Sequence, residues 1–333
     1  MAYRAEDAGG RASGLSRRDL LKTAVLASCV CAFCSRASAQ ALKYNLKAEE
    51  IAPRTWGVFG AREYFSMENG GDIANVAFVE VPDGVVVIDT GPSFRFGEAL
   101  KALIADTVPG KRVIRVFNTH HHPDHFLGNQ VFDPAIIAAP QGVVDNIRAL
   151  GDAMADNMYR LVGDWMRGTA ITVPGRVVAT SREDVGGRGF GYMPLSGHTS
   201  ADFVIRDAET GVLFAGDLAF LDRAPTTPNA DLPAWRASIA TLRHTDRALL
   251  VPGHGPQDAK GASLDQTLDW LDWLDGTLRD AVARGLTMNE AMDLPVPSRF
   301  AALGVADGEY RRSVVHLYQT IEDEVLPAVE VTR

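Results

Sequence analysis

Four of the chain's eight histidines fall within seven residues, Thr119-His120-His121-His122-Pro123-Asp124-His125. A tight loop at a strand end sends alternate side chains to one side, so His120 and His122 can meet at one point. Asp124 and His125 can then meet at a neighbouring point. Imidazole nitrogen and carboxylate oxygen together suit a borderline cation such as zinc. Three more segments carry an isolated metal-type side chain among glycines and small residues: Ser196-Gly197-His198-Thr199, Ala215-Gly216-Asp217-Leu218 and Pro252-Gly253-His254-Gly255. Glycine beside such a residue permits close backbone approach and unusual dihedrals. A single histidine beside a strand is more often a core or capping residue than a ligand. Four such segments in one chain carry the metal reading. Two divalent ions about 3.5–4 Å apart lower the pKa of a shared water from about 16 towards 7, which predicts metal-assisted hydrolysis.

The elements that must position these residues are legible as short apolar runs. Residues 72–81 and 85–89 read as a strand pair turning at Pro82-Asp83-Gly84, and Thr90-Gly91-Pro92 stops the second. Residues 96–104 have helical spacing, 112–117 form a strand running straight into the histidine cluster, and 135–138 a short fourth strand. Residues 141–166 form a long helical stretch carrying the exposable aromatics Tyr159 and Trp165. A strand at 190–195 leads to His198. Residues 203–207 and 212–215 form a hairpin, and a strand at 248–251 precedes His254. Helices are expected at 235–243, 263–284 and 311–325. Strands interleaved with helices, several arriving as hairpins, predict an α+β chain, an αββα sandwich of two mixed β-sheets with helices outside. No repeat or internal boundary divides residues 40–333.

The order His120-x-His122-x-Asp124-His125, then His198, Asp217 and His254, resembles the metallo-β-lactamase superfamily of binuclear metallohydrolases. The resemblance runs from about residue 55 to residue 260, and the 85–91 run ending at Asp89 matches that family's early strand. It implies one zinc on His120, His122 and His198, a second on Asp124, His125 and His254, and Asp217 bridging the two. Asp124 then has a second, catalytic role in orienting the nucleophile. The aspartate at 217 resembles glyoxalase II. Some true β-lactamases use a cysteine ligand that the body of this chain lacks, which counts against antibiotic hydrolysis. The expected activity is therefore hydrolysis of a small ester, thioester or amide. The histidine segment running into Phe126-Leu127-Gly128-Asn129, with a basic leader and a helical tail, is similar to the quinoprotein relay system zinc metallohydrolases. That similarity implies a link to a periplasmic quinoprotein dehydrogenase. Two other classes stay open: a mononuclear iron enzyme similar to persulfide dioxygenases, and a non-catalytic accessory protein for a quinone cofactor.

Other residues are weighed against plainer roles. His121, between two ligands, is expected on the surface, and His244 and His316 sit on helices outside any motif. Asp89 either orients a ligand histidine or fixes the loop backbone. Asn75, Tyr159 and Trp165 have no spacing that ties them to the site. Substrate choice is expected from residues 140–170 and 221–234.

Composition narrows the classes further. The 333 residues carry a formal charge of −9, and residues 1–39 are basic, so the remainder is more acidic still. An acidic body lacks the footprint that nucleic acid requires. No apolar run after residue 40 is long enough to span a membrane. All three cysteines, Cys29, Cys31 and Cys34, lie in the leader, which removes thiol nucleophiles and cysteine-ligated clusters from the body. The leader itself, Ser16-Arg17-Arg18-Asp19-Leu20-Leu21-Lys22 before an apolar stretch and Ala37-Ser38-Ala39, resembles a twin-arginine export signal. It predicts a periplasmic enzyme, acting on a small molecule, cleaved after Ala39. Leu26-Ala27-Ser28-Cys29 offers a lipid anchor on Cys29 as the alternative.

Overall fold

Val76, Phe78, Val85 and Val87 bury their side chains in one apolar cluster, while Ala77, Val79, Val86 and Ile88 bury theirs in another. This alternation is the period of a strand with both faces covered. The computed structural model describes residues 42–326, and the leader lies outside them. In it, these residues form the antiparallel pair β3 (Val76–Val81) and β4 (Gly84–Ile88).

The pair sits inside a seven-stranded sheet. β1 (Glu49–Ala52) and β2 (Thr55–Val58) extend it on one side. On the other side lie β5 (Val113–Phe117), β6 (Ile137–Ala139) and β7 (Arg176–Val177), all parallel to their neighbours. A second sheet holds β8 (Arg182–Asp184), β9 (Gly189–Leu195), β10 (Asp202–Asp207), β11 (Val212–Phe220) and β12 (Leu249–His254). Its order is β12-β11-β10-β9-β8, with only the β11–β12 pair parallel. Both sheets are therefore mixed.

Phe117, Phe190, Tyr192, Phe203 and Phe214 fill the space between the sheets. Helices α1 (Phe94–Thr107), α2 (Pro123–Phe126) and α3 (Gln141–Val162) belong to the first sheet's outer layer. α4 (Leu232–His244), α5 (Ala262–Ala283), α6 (Met288–Met292) and α7 (Ala306–Val325) build the layer outside the second. The result is the αββα sandwich. Each fully buried valine, leucine or phenylalanine contributes about 1.5–3 kcal/mol relative to exposure, so three stacked apolar layers make a stiff frame. No helix among the described residues is long and apolar enough to cross a membrane.

Three features differ from the sequence-based expectation. The strand expected over 72–81 begins only at Val76, because Asn75 spends its side-chain amide on the Pro252 and Gly255 carbonyls at 2.8 and 2.7 Å. The β1–β2 ribbon has four-residue strands joined through Pro53-Arg54, too short to show a period. Trp165 is buried rather than exposed. It lies against Tyr44 with ring centroids 4.4 Å apart and donates to the Met67 carbonyl at 2.8 Å.

Candidate metal centre

The strands end where the chemistry begins. β4 ends at Asp89, β5 runs into Asn118-Thr119-His120, β9 leads to His198, Asp217 lies within β11, and His254 closes β12. His122 has extended backbone (φ −73°, ψ 148°), and Pro123 then starts the single helical turn of α2. The chain bends at His121, and His120 and His122 face the same ligand group. The helical turn swings Asp124 and His125 to the adjoining point.

All seven predicted residues come together, and all are buried. One group is His120, His122, His198 and Asp217, and the other is Asp124, His125 and His254. Within each group the candidate ligand atoms lie within 4.8 Å of one another. Asp217 Oδ2 lies 3.2 Å from His198 Nε2 and 3.3 Å from His254 Nε2, and its Oδ1 lies 3.2 Å from His125 Nε2. The carboxylate thus faces histidines of both groups. Asp124 Oδ2 is 3.4 Å from His254 Nε2.

The ring nitrogens that face outward fix which nitrogens face in. His125 Nδ1 meets Asp89 Oδ2 at 2.8 Å, and His254 Nδ1 meets the Ile73 carbonyl at 2.7 Å. His120 Nδ1 meets Thr119 Oγ1 at 3.0 Å, and His122 Nε2 meets Asn229 Oδ1 at 2.9 Å. An acceptor on one ring nitrogen draws the proton there and leaves the other nitrogen bare. Accordingly His120 Nε2, His125 Nε2 and Asp217 Oδ1 are buried with no hydrogen-bond partner. His122 Nδ1 and His198 Nε2 stand 2.8 Å apart, with the His122 proton already drawn to its other nitrogen. Buried lone pairs left without a partner, like those of His120, His125 and Asp217, are costly unless a cation takes them up. The residues present therefore fit a pair of metal ions.

Electrostatics point the same way. Burial pushes the His120 and His198 imidazoles well below the usual histidine range. Burial opposes charge on His125 too, but Asp217, Asp124 and Asp89 outweigh it and hold that imidazole well above the range. Burial would raise the Asp217 carboxyl, yet His254, His125, His198 and His120 hold it well down. The pocket is built to keep positive charge beside Asp217 and to keep most of its histidines neutral, the state in which they ligate.

Asp89 combines both roles left open for it. It sits at φ +59°, accepts from Thr119 N and Oγ1 at 2.8 and 2.7 Å, and orients His125. Asp202 does similar work for His198, accepting from the backbone amides of His198 and Thr199, both at 3.1 Å. Gly253 explains one of the small residues: a Cβ there would stand 1.8 Å from Asp217 Oδ1. Gly253→Ala is therefore expected to displace Asp217 and lower metal content and turnover at least ~10-fold, a strain effect of the size found at crowded sites. Metal analysis beside activity checks this, and normal values in both would show that Asp217 has room to move.

His121 corrects the sequence reading. It points away from the ligand groups but is buried, and neither ring nitrogen has a hydrogen-bond partner. Tyr159 is exposed, Trp165 lies in the core, and Asn75 ties β3 to the His254 loop. His244 and His316 lie on α4 and α7, outside both groups. The ligand groups open into a cavity of about 360 Å³ whose lining includes His122, Asp124, Asp217 and His254. Its walls come from the expected stretches, with Leu150, Ala153 and Met154 from α3 and Arg223, Thr226 and Asn229 from the loop after β11. They also come from Tyr64, Phe65 and Ile73, and from Arg312 of α7, which carried no recognisable sequence signal.

Comparison with known proteins agrees with this geometry. Residues 69–272, more than half the chain, match the model of the metallo-beta-lactamase superfamily, and the chain belongs to that superfamily. Two His/Asp groups that could hold metal ions lie inside the matched span. A linear primary-alkylsulfatase from Pseudomonas sp. is 24% identical over 233 residues, 68% of this chain. The chain spans 33% of that relative's length. Among solved structures, a metallo-beta-lactamase from Pontibacter korlensis aligns with a TM-score of 0.54 at 23% identity, covering 68% of this chain and 99% of that one. The sec-alkylsulfatase Pisa1 from Pseudomonas sp. aligns at 0.62 and 19% identity, covering 83% of this chain and 50% of that one. Those two likenesses describe the fold.

Proposed function

We propose that this protein is an exported hydrolase holding two zinc ions, acting on a small ester, thioester or amide. The observation that carries it is the pair of ligand groups sharing Asp217, with bare, buried imidazole nitrogens aimed at it from both sides. His120, His122 and His198 would hold one ion and Asp124, His125 and His254 the other, with Asp217 between them. Bound there, two divalent ions supply a nucleophile at neutral pH and polarise the bond under attack. Asp124 lines the cavity and would orient the attacking water. Asn229 holds the His122 ring, and Ile73, Leu150 and Met154 give the cavity apolar surface for a substrate.

The completeness of the second group weighs against a single-iron, persulfide dioxygenase-like enzyme, which needs only one. An intact ligand set likewise weighs against a non-catalytic quinone-cofactor accessory role. A sulfate ester is the second substrate class worth assay, favoured by the likeness to two alkylsulfatases. A functional link to a quinoprotein dehydrogenase rests on the leader and the 119–129 segment, and a dehydrogenase encoded beside this chain would support it.

The test is a panel of p-nitrophenyl esters, thioesters, lactones, amides and alkyl sulfates, with the metals stripped by chelation and zinc then restored. Turnover that disappears and returns is expected, and no turnover on any member would sink the proposal. For the leader, replacing Arg17 and Arg18 with Lys is expected to hold the precursor in the cytoplasm. Unimpaired export would point to the general secretory route. The mature amino terminus is expected at Gln40, and a lipid on Cys29 would contradict that.

A further inference from the structure

Two guanidinium groups share the cavity with the candidate metal ligands. Arg223 follows β11 and is almost wholly buried, while Arg312 stands on α7, forty residues beyond the end of the family match. Between them lies one carboxylate, Glu309, which is fully buried and does not line the cavity. Its Oε1 is 3.6 Å from Arg223 Nη2 and 3.5 Å from Arg312 Nη1, and its Oε2 has no hydrogen-bond partner. Both contacts are long for charge-assisted pairs, which close to about 2.7–2.9 Å when fully made.

Arg223 gives one good hydrogen bond, Nη1 to the Ala224 carbonyl at 3.1 Å, and two weak ones at 3.4 Å to the Glu63 carbonyl. Among the described residues Arg312 makes only the Glu309 contact. A guanidinium has five N–H donors, so most of Arg312's remain available to a ligand or to solvent. Burial pushes the Glu309 carboxyl up against the pull of Arg223 and Arg312, so it balances one positive charge at most. Glu309 is thus shared between two guanidinium groups, and Arg312, with 42% of its side chain exposed, keeps donors that an anionic ligand can take up.

α7 is held in register for this purpose. Tyr64 donates its hydroxyl to the Val305 carbonyl at 3.1 Å, and a Cβ at Gly308 would stand 2.2 Å from that hydroxyl oxygen. The lining also includes the apolar Phe65, Ile73, Leu150 and Met154. The volume of about 360 Å³ is near the lower end of ligand pockets, which admits a small molecule only.

We propose that Arg223 and Arg312 form the substrate-selecting wall, and that the substrate is a small, largely apolar molecule bearing an oxyanion, either a carboxylate or a sulfate. This deepens the hydrolase reading and rests on it for the word substrate, but the recognition itself is measurable without turnover. The experiment is calorimetric titration of the zinc-loaded protein with hexanoate, hexyl sulfate and hexanol, for wild type, Arg312→Gln and Arg312→Lys. Hexanoate or hexyl sulfate is expected to bind at least ~10-fold tighter than hexanol, the scale of a hydrogen bond to a charged group. Whichever anion binds better identifies the class. Bound ions also attract anions, so the variant decides. With zinc content unchanged, Arg312→Gln is expected to lower the anion-to-hexanol affinity ratio about tenfold, and Arg312→Lys to restore part of it. Equal affinities in the wild type, or a ratio unchanged in Arg312→Gln, would overturn the proposal. Anion selectivity that depends on Arg312 in a protein that hydrolyses nothing in the panel would uphold the wall and remove the hydrolase reading.

Discussion

Asp217→Asn is expected to fold, to keep a metal on His120, His122 and His198, and to lose the other metal first. Hydrolysis should fall at least ~10²-fold, as expected when one part of a metal-assembled nucleophile is removed. The reasoning starts from charge. Asp217 lies 3.2–3.3 Å from His125, His198 and His254, so its carboxylate stands between the two groups and offsets the repulsion of two cations. Asparagine nearly preserves the shape but removes the negative charge and one strong acceptor. The three-histidine group keeps its own donors, whereas the Asp124, His125 and His254 group has only Asp124 left as a carboxylate that could touch its ion. Metal content per chain beside turnover checks this. Two metals retained with near-normal turnover would reduce Asp217 to a turn residue.

The second large effect comes from a pair of neighbours. His122→Ala should remove a metal and cut activity at least ~10²-fold, while His121→Ala keeps both metals and most activity. The placement of the side chains is the reason, since 120 and 122 belong to one ligand group and 121 to neither. His122 Nδ1 faces His198 Nε2 at 2.8 Å, and its loss also leaves Asn229 without its partner. His121 is buried, so its removal costs packing. Its ring nitrogens make no hydrogen bonds that could be lost, which limits the cost to about 1–2 kcal/mol. A thermal melt separates that cost from metal loss. Equal metal loss from both changes would mean that the register of the loop differs.

The ligand constellation was legible because each ligand type is chemically distinctive, four of them are packed into residues 120–125, and the other three each follow a glycine. The central strands were legible for a similar reason: residues 85–88 are apolar without interruption, as a strand covered on both faces must be. What stayed hidden depends on contacts between segments distant in sequence. Asn229 meets His122 across 107 residues, and Tyr64 meets Val305 across 241. Arg312 looks like any solvated helix charge until α7 is seen against the cavity. His121 misled because polar residues usually face water, while the turn that aims its neighbours leaves it no route outward. Trp165 misled because a helical period placed it on an outer face, and a break into a 3₁₀ turn at Gly163 rotates it into the core.

The most direct test is metal stoichiometry on the purified, full-length chain, by elemental analysis with the anomalous signal of a crystal at the zinc edge. The account predicts two zinc ions per chain, one among His120, His122 and His198 and one among Asp124, His125 and His254, with Asp217 touching both. A single iron per chain, with Asp124, His125 and His254 left without metal, would contradict it.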